Sequence, residues 1–327
     1  MIKFFRQSYA IQYVTIALLA IALWVPAFMS GKVTMGLGEP VTPIFNLLDG
    51  LLGFSPLVQH LFAFLLLVVE TLIFNTIMVN NQVVGKVSTM GAFVFLLLMS
   101  LTSTQTNFYP FSLSAIFIML AISNMFGVYQ MPNSEMGLLR VGIFVALASM
   151  CYFPSILLLL WAFISLPIAK KGSLRLQLIP LFGFLFVYFI YFFAVYMFGD
   201  LLPVLHGYRD YFTSIKFSVS AFNYKIIILL LILVLPVALL LLSGANASLE
   251  NSIGVRTKIS MTVILAVFAI VLLFFGNDVL KNGLIFIVLS IIYSYAFSYI
   301  SNTSWANLFL VAFMILVFAN HYYFKVL

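Results

Sequence analysis

Runs of apolar residues, each broken by a few polar positions, repeat along the whole chain. They fall at residues 10 to 29, 57 to 79, 88 to 103, 112 to 128, 138 to 153, 155 to 169, 176 to 199, 225 to 243, 259 to 275, 282 to 299 and 303 to 320. Stretches such as IIILLLILVLP are apolar on every side, without the alternation of ~10-residue segments that marks a membrane β-barrel. Most approach the ~20 residues that a helix needs to cross the hydrocarbon core. The pattern therefore predicts an all-α fold: a polytopic bundle of about 11 transmembrane helices forming one integral membrane domain over 1–327. The shorter runs are expected to be tilted, shielded by neighbours or re-entrant.

Composition agrees, since 65% of the 327 residues are hydrophobic and 7% are charged, with a mean hydropathy of +1.21. Soluble domains carry about 25% charged residues. The apolar run from Ala10 to Met29 exceeds a signal-peptide core and is expected to be a retained first span. One cysteine, Cys151, excludes an internal disulfide framework and a multi-cysteine metal site. The net charge of +7 is scattered over short loops, which argues against nucleic acid as a partner.

With the N-terminus inside, nine basic residues fall on the cytoplasmic side and six on the outer side, in accord with the positive-inside rule. The acids divide more sharply: Glu39, Asp49, Asp200, Asp210 and Asp278 are all expected outside. Two long outer connections, 30 to 56 and 200 to 224, stand out among short turns, and long loops are where binding residues concentrate.

In the first connection, Thr42 followed by Pro43 predicts a helix start and Gly53 its end. The result would be a short interfacial helix with Asn46, Asp49, Gly50 and Gly53 on one face. Ile44, Phe45, Leu47, Leu48, Leu51 and Leu52 would form the other. Asp49 and Glu39 each have two readings, a solvated face or a catalytic or metal-binding carboxylate; hard oxygen ligands of this kind suit Mg2+ or Mn2+. The second connection brings His206, Arg209, Asp210 and Lys216 among many aromatic residues. That mixture suits interfacial anchoring. Alternatively, Arg209 and Lys216 contact the phosphate of a lipid-linked substrate, with His206 beside them as a proton relay or a hydrogen-bonding loop residue.

Within the membrane, LVVETLIFNTIM sets Glu70 midway along the second span, with Gln59, Ala63 and Phe74 on its face and Asn75 farther around. An ionised carboxylate at that depth is costly, so it must face the protein interior or a wet cavity. Proton coupling and a neutral carboxyl bonded to Ser123 and Asn124 are both open.

One span, an acid-bearing outer loop with an interfacial helix, then many spans joined by short turns: this layout resembles the membrane core of the GT-C glycosyltransferases. The resemblance implies transfer of a glycosyl group from a polyprenyl-phosphate-linked donor on the outer face, with Glu39 or Asp49 as base or metal ligand. Through MIKFFRQSYAIQ and RVGIFVALASMCYFPSILLLLWAFISLPIAKK the chain is also similar to an uncharacterised family of bacterial polytopic inner-membrane proteins. That similarity implies the bacterial inner membrane and its lipids as surroundings, and carries no activity. Two other functions stand beside glycosyl transfer: a non-enzymatic subunit of a cell-envelope complex, with envelope proteins as partners, and a proton-coupled transporter or lipid flippase using Glu70.

Overall fold

The computed structural model describes residues 1–30, 41–52, 56–84, 88–101, 108–129, 134–214, 253–273, 283–299, 303–319 and 322. Among them the regular structure is helical, with no strand. In order they form α1 (Ile2–Phe5), α2 (Ala10–Ser30), α3 (Pro43–Leu52), α4 (Pro56–Asn80), α5 (Met90–Met99), α6 (Pro110–Val128) and α7 (Glu135–Cys151). A 3-10 turn (Phe153–Leu157) leads into α8 (Leu158–Ile168), followed by α9 (Leu174–Phe198), α10 (Leu201–Ser214), α11 (Ile253–Leu273), α12 (Leu284–Tyr299) and α13 (Thr303–Ala319).

Among the described residues five stretches are long and apolar enough to cross a membrane: Ala10–Met29, Leu57–Asn80, Pro110–Val128, Leu174–Phe198 and Ile253–Leu272. Shorter apolar helices are Met90–Met99, Phe153–Ile168, Leu284–Tyr299 and Asn307–Ala319. Of the expected runs, that at 225–243 lies outside the described residues. Burial sets two of the short helices apart. Most other helices turn large apolar side chains outward, as with Leu18 (61% exposed) on α2 and Phe189 (67%) on α9. Every residue of α5, and α12 from Leu284 to Phe297, is buried. These two short helices form the centre, which explains why they are apolar all round. The exposed apolar faces fit a multi-pass membrane protein, where hydrocarbon rather than water is the surrounding medium.

α4 and α5 form an antiparallel hairpin, α5 packs also on α12, and α11 lies against both α12 and α8. α6 and α7 form a second hairpin, and α7 runs beside α9. Where α7 crosses α9, both helices carry glycine. A Cβ added to Gly142 would stand 2.0 Å from the Pro180 carbonyl oxygen, and one on Gly183 would stand 2.5 Å from that of Leu139. Close backbone approach through small residues supplies the dispersion contact that holds helices together without a hydrophobic drive.

Long-range bonds gather the turns at one end of the bundle. Thr89 N–H donates to the Phe5 carbonyl, Arg6 donates to the Phe297 carbonyl, and Ile2 N–H donates to the Asn307 side chain. Lys258, fully buried, donates to the Asn81 carbonyl at 2.5 Å. All these residues belong to turns or helix ends that the alternation of runs assigns to one side. α4 and α8 also end there in the same manner. Val83 N–H reaches Met78 and Gln82 N–H reaches Val79; Lys171 N–H reaches Leu166 and Lys170 N–H reaches Pro167. The residues that complete these Schellman caps, Gln82 (φ 56°) and Lys170 (φ 58°), are left-handed without being glycine.

Gly142→Ala is expected to lower stability in detergent by about 1–3 kcal/mol, because its new methyl group meets backbone that cannot rotate away. Gly50→Ala, with open space around its Cβ position, serves as the control and should shift the melting midpoint little.

Candidate functional site

The opposite end of the bundle carries the two short helices α3 and α10. α3 begins with Pro43, as the Thr42-Pro43 pair predicts, but its buried face is rotated from the expected one. Phe45 is fully buried and stacks on Phe108 at 5.1 Å, with Phe62 edge-on to Phe108 at 5.3 Å. Turning Phe45 inward sends Leu47 outward (72% exposed), beside Asn46 and Gly50, and brings Asp49 to the flank as a half-buried residue. The large ring governs the choice, since it buries more area than Leu47 can. Glu39 and Gly53 lie outside the described residues.

Residues 201–214, expected as part of a long connection, form helix α10. Its stripe is Leu201, Val204, Tyr208 and Tyr211, of which Tyr208 is buried and the others are half-buried. Phe153 at the α7–α8 corner receives Tyr208, Tyr211 and Phe212 edge-on at 5.7, 5.0 and 5.3 Å. Tyr208 also meets Phe192 of α9 at 5.8 Å. Burial pushes its phenol well above the ordinary tyrosine value, so it stays neutral. Below it, the Tyr188 and Ser149 hydroxyls pair at 2.9 Å, joining α9 to α7. His206, Arg209 and Asp210 point away from this seat and are exposed; Lys216 lies outside the described residues.

A run of rings connects the two helices. Phe45 stacks on Phe108; two residues past the adjacent Tyr109, Phe111 meets Tyr152 at 5.7 Å; and Phe153 holds α10. α3 packs on α7, and α10 packs on α9 and on the corner that follows α7. The two amphipathic helices therefore flank the same end of α7. Between them they offer a half-buried carboxylate and an exposed guanidinium at the rim of an apolar bundle. Among the described residues no group of three or more His, Cys, Asp or Glu stands close enough to hold a metal. Asp49 is the described member of the expected Mg2+ or Mn2+ ligand pair. One carboxylate is compatible with Mg2+, which binds through one or two carboxylates plus substrate phosphates.

Deeper in the bundle, Gln59, Ala63, Glu70 and Phe74 are all buried, so the face expected on α4 is real. Asn75, around the cylinder, has a defined structural task. Its Oδ1 accepts from Ala92 N–H in the first turn of α5 at 3.2 Å, and its Nδ2 donates to the Tyr13 hydroxyl at 3.3 Å. A helix that starts inside apolar surroundings must have its first N–H groups satisfied by such a partner. Glu70 is different: Oε1 is buried without a hydrogen-bond partner. Asn124, considered above as its partner, donates instead to the Leu120 carbonyl of its own helix at 2.8 Å, and Ser123 is half-exposed. His60 is buried, with both ring nitrogens unpartnered among the described residues, edge-on to Phe28 at 6.1 Å; a lone histidine in an apolar run gives no signal in sequence. Lys258 stands one position ahead of the run at 259 to 275, and only the three-dimensional arrangement reveals its cap on α4.

Fold and site together define a class: a multi-pass, all-helical membrane protein with two amphipathic helices at one end. No protein family, curated protein or solved structure matches the chain.

Asn75→Leu removes both bonds and leaves Ala92 N–H buried and unpaired, which should cost about 1–3 kcal/mol. Tyr13→Phe removes only a donor's partner at the half-exposed edge and should cost less. Unfolding midpoints in detergent measure both, and equal losses would contradict the capping role.

Proposed function

We infer that the chain acts at the outer face of a bacterial inner membrane, with its N-terminus in the cytoplasm, on a substrate that is part lipid and part polar. The reading is transfer of a glycosyl group from a polyprenyl-phosphate-linked donor. The observation that carries it is the pairing of α3 and α10 around one end of α7, with Asp49 half-buried on the first and Arg209 exposed on the second. Such a rim suits an amphiphile whose hydrocarbon stays in the bilayer while its headgroup meets charged side chains.

In this mechanism Asp49, or Glu39, takes the proton of the acceptor hydroxyl as the acceptor oxygen bonds to the anomeric carbon. The bond from that carbon to the donor phosphate breaks, and its electron pair leaves with the phosphate. Arg209 and Lys216 neutralise the charge that develops there, with His206 and Asp210 at the headgroup. When bound, Mg2+ or Mn2+ would supply further neutralisation, held by the same carboxylates.

A second reading, a non-enzymatic subunit of an envelope complex, draws support from α9, whose outward face includes Phe182, Phe186, Phe189, Phe193 and Tyr196. That face would meet a partner helix.

Asp49→Ala and Arg209→Ala are each expected to reduce transfer from a polyprenyl-phosphate sugar in vitro by about 10²-fold or more, with unchanged melting behaviour. Full transfer by Asp49→Ala, Glu39→Ala and the double variant would refute the assignment. Stoichiometric co-purification with envelope proteins, together with tolerance of both substitutions, would favour the subunit.

A further inference from the structure

The middle of the bundle presents a separate problem. Glu70 is 1% exposed and its Oε1 has no partner. The three helices packed most closely on α4 are α2, α5 and α6, and none of them carries an acidic or basic side chain. α12, packed on α5, carries none either. The other titratable side chain on α4, His60, sits ten residues away, about 15 Å along the axis. Among the described residues no cation on these helices neutralises this carboxyl.

The register of the α4–α5 hairpin shows what does stand at its level. Asn75 meets Ala92, Met78 lies against Gly91, and Phe74 stacks on Phe95 at 4.7 Å. Continuing this antiparallel pairing sets Glu70 beside Leu97–Met99, the last turn of α5. With ten residues, α5 is about 15 Å long, half the thickness of a hydrocarbon core, so it ends near mid-depth. The end it presents there is the carbonyl end, which bears the negative pole of the helix; Ser100 N–H closes on the Leu96 carbonyl and Leu101 N–H on that of Leu98, and each of these oxygens keeps a second lone pair. A carboxyl and a helix carbonyl terminus, both electron-rich and both buried, repel unless a positive charge lies between them. Broken helices in membranes place cations at such ends.

We propose that Glu70 and the last turn of α5 form an internal binding site for a monovalent cation, H+ or Na+, at the centre of the bundle. The site stands independently of the chemistry inferred for α3 and α10, and its occupant links the fold to the ionic conditions on one side of the membrane.

The test is carbodiimide modification of the purified full chain in nanodiscs, located by peptide mass spectrometry, because dicyclohexylcarbodiimide adds to protonated carboxyls in apolar surroundings. Glu70 is expected to be modified at acidic pH and progressively spared as pH rises. If Na+ occupies the site, NaCl but not choline chloride lowers the modification several-fold at fixed pH; if only H+ does, the two salts act alike. Glu70→Gln should lose the modified peptide and the cation dependence of the melting midpoint while remaining folded. Modification of Glu70 that is absent, or that is the same at every pH and with either salt, would overturn the proposal. Glycosyl transfer is not the readout, so failure here leaves the function at α3 and α10 untouched, and failure there leaves this site untouched.

Discussion

A polar backbone group inside an apolar bundle has no water to turn to, and this constraint shapes the described structure more than any other. It is felt most where helices begin or end within the protein. α5 is the clearest case: it starts between α2 and α4, and Asn75 satisfies one of its first N–H groups. Just beyond Asn75, at the C-terminus of α4, the Schellman bonds and the Lys258 ammonium meet the last carbonyls. An ammonium at a helix C-terminus gains from the dipole, up to ~2 kcal/mol where partly buried, so this lysine stabilises the turn it reaches. Ordinary caps use glycine or a short side chain from the helix's own sequence. Here Asn75 and Lys258 add caps from other helices to the local ones, and these two fix the register between neighbours as well as closing the ends.

With the ends fixed, side packing follows two styles. At the α7–α9 crossing the backbones touch, and glycine is required on both sides. At the far end, rings do the work, from Phe45 and Phe108 through Phe111 and Tyr152 to Phe153 and Tyr208. Edge-to-face and offset pairs of this kind contribute about 0.5–1.5 kcal/mol each beyond area burial. They also fasten α3 and α10 to the bundle while leaving their polar sides open. Positioning of Asp49 and Arg209 is thus a consequence of where aromatic residues can bury.

The all-helical class was plain from the apolar runs, and so was the face of α4 that holds Gln59, Ala63, Glu70 and Phe74. A 3.6-residue repeat carries that information directly. α3 was found but turned, because a two-sided division into polar and apolar residues gave Leu47 the same weight as Phe45. α10 reads in sequence as a loop, because its Pro203, Gly207 and charged residues hide a Leu201, Val204, Tyr208, Tyr211 stripe at helical spacing. Its burial is set by Phe153, far away in sequence. Asn75 was recognised as polar and deep, yet its task needed the start of α5, which no local pattern reveals.

Glu70 and Lys258 show why burial of charge has no single meaning. Both are nearly inaccessible; the lysine reaches the carbonyl end of α4, and the α4–α5 register sets the glutamate level with that of α5. For the lysine the sign is favourable and the partner is within hydrogen-bonding distance, so structure alone accounts for it. For the glutamate the sign is wrong. A charge at the bilayer centre costs about 2.5–3.5 kcal/mol even by the mildest scale, and the pole of α5 adds to that cost for an anion. Removing the carboxylate would be the simplest remedy for a residue with only a packing task. A short helix ending at mid-depth beside an unpaired carboxyl is instead an arrangement whose two faults cancel when one positive charge enters.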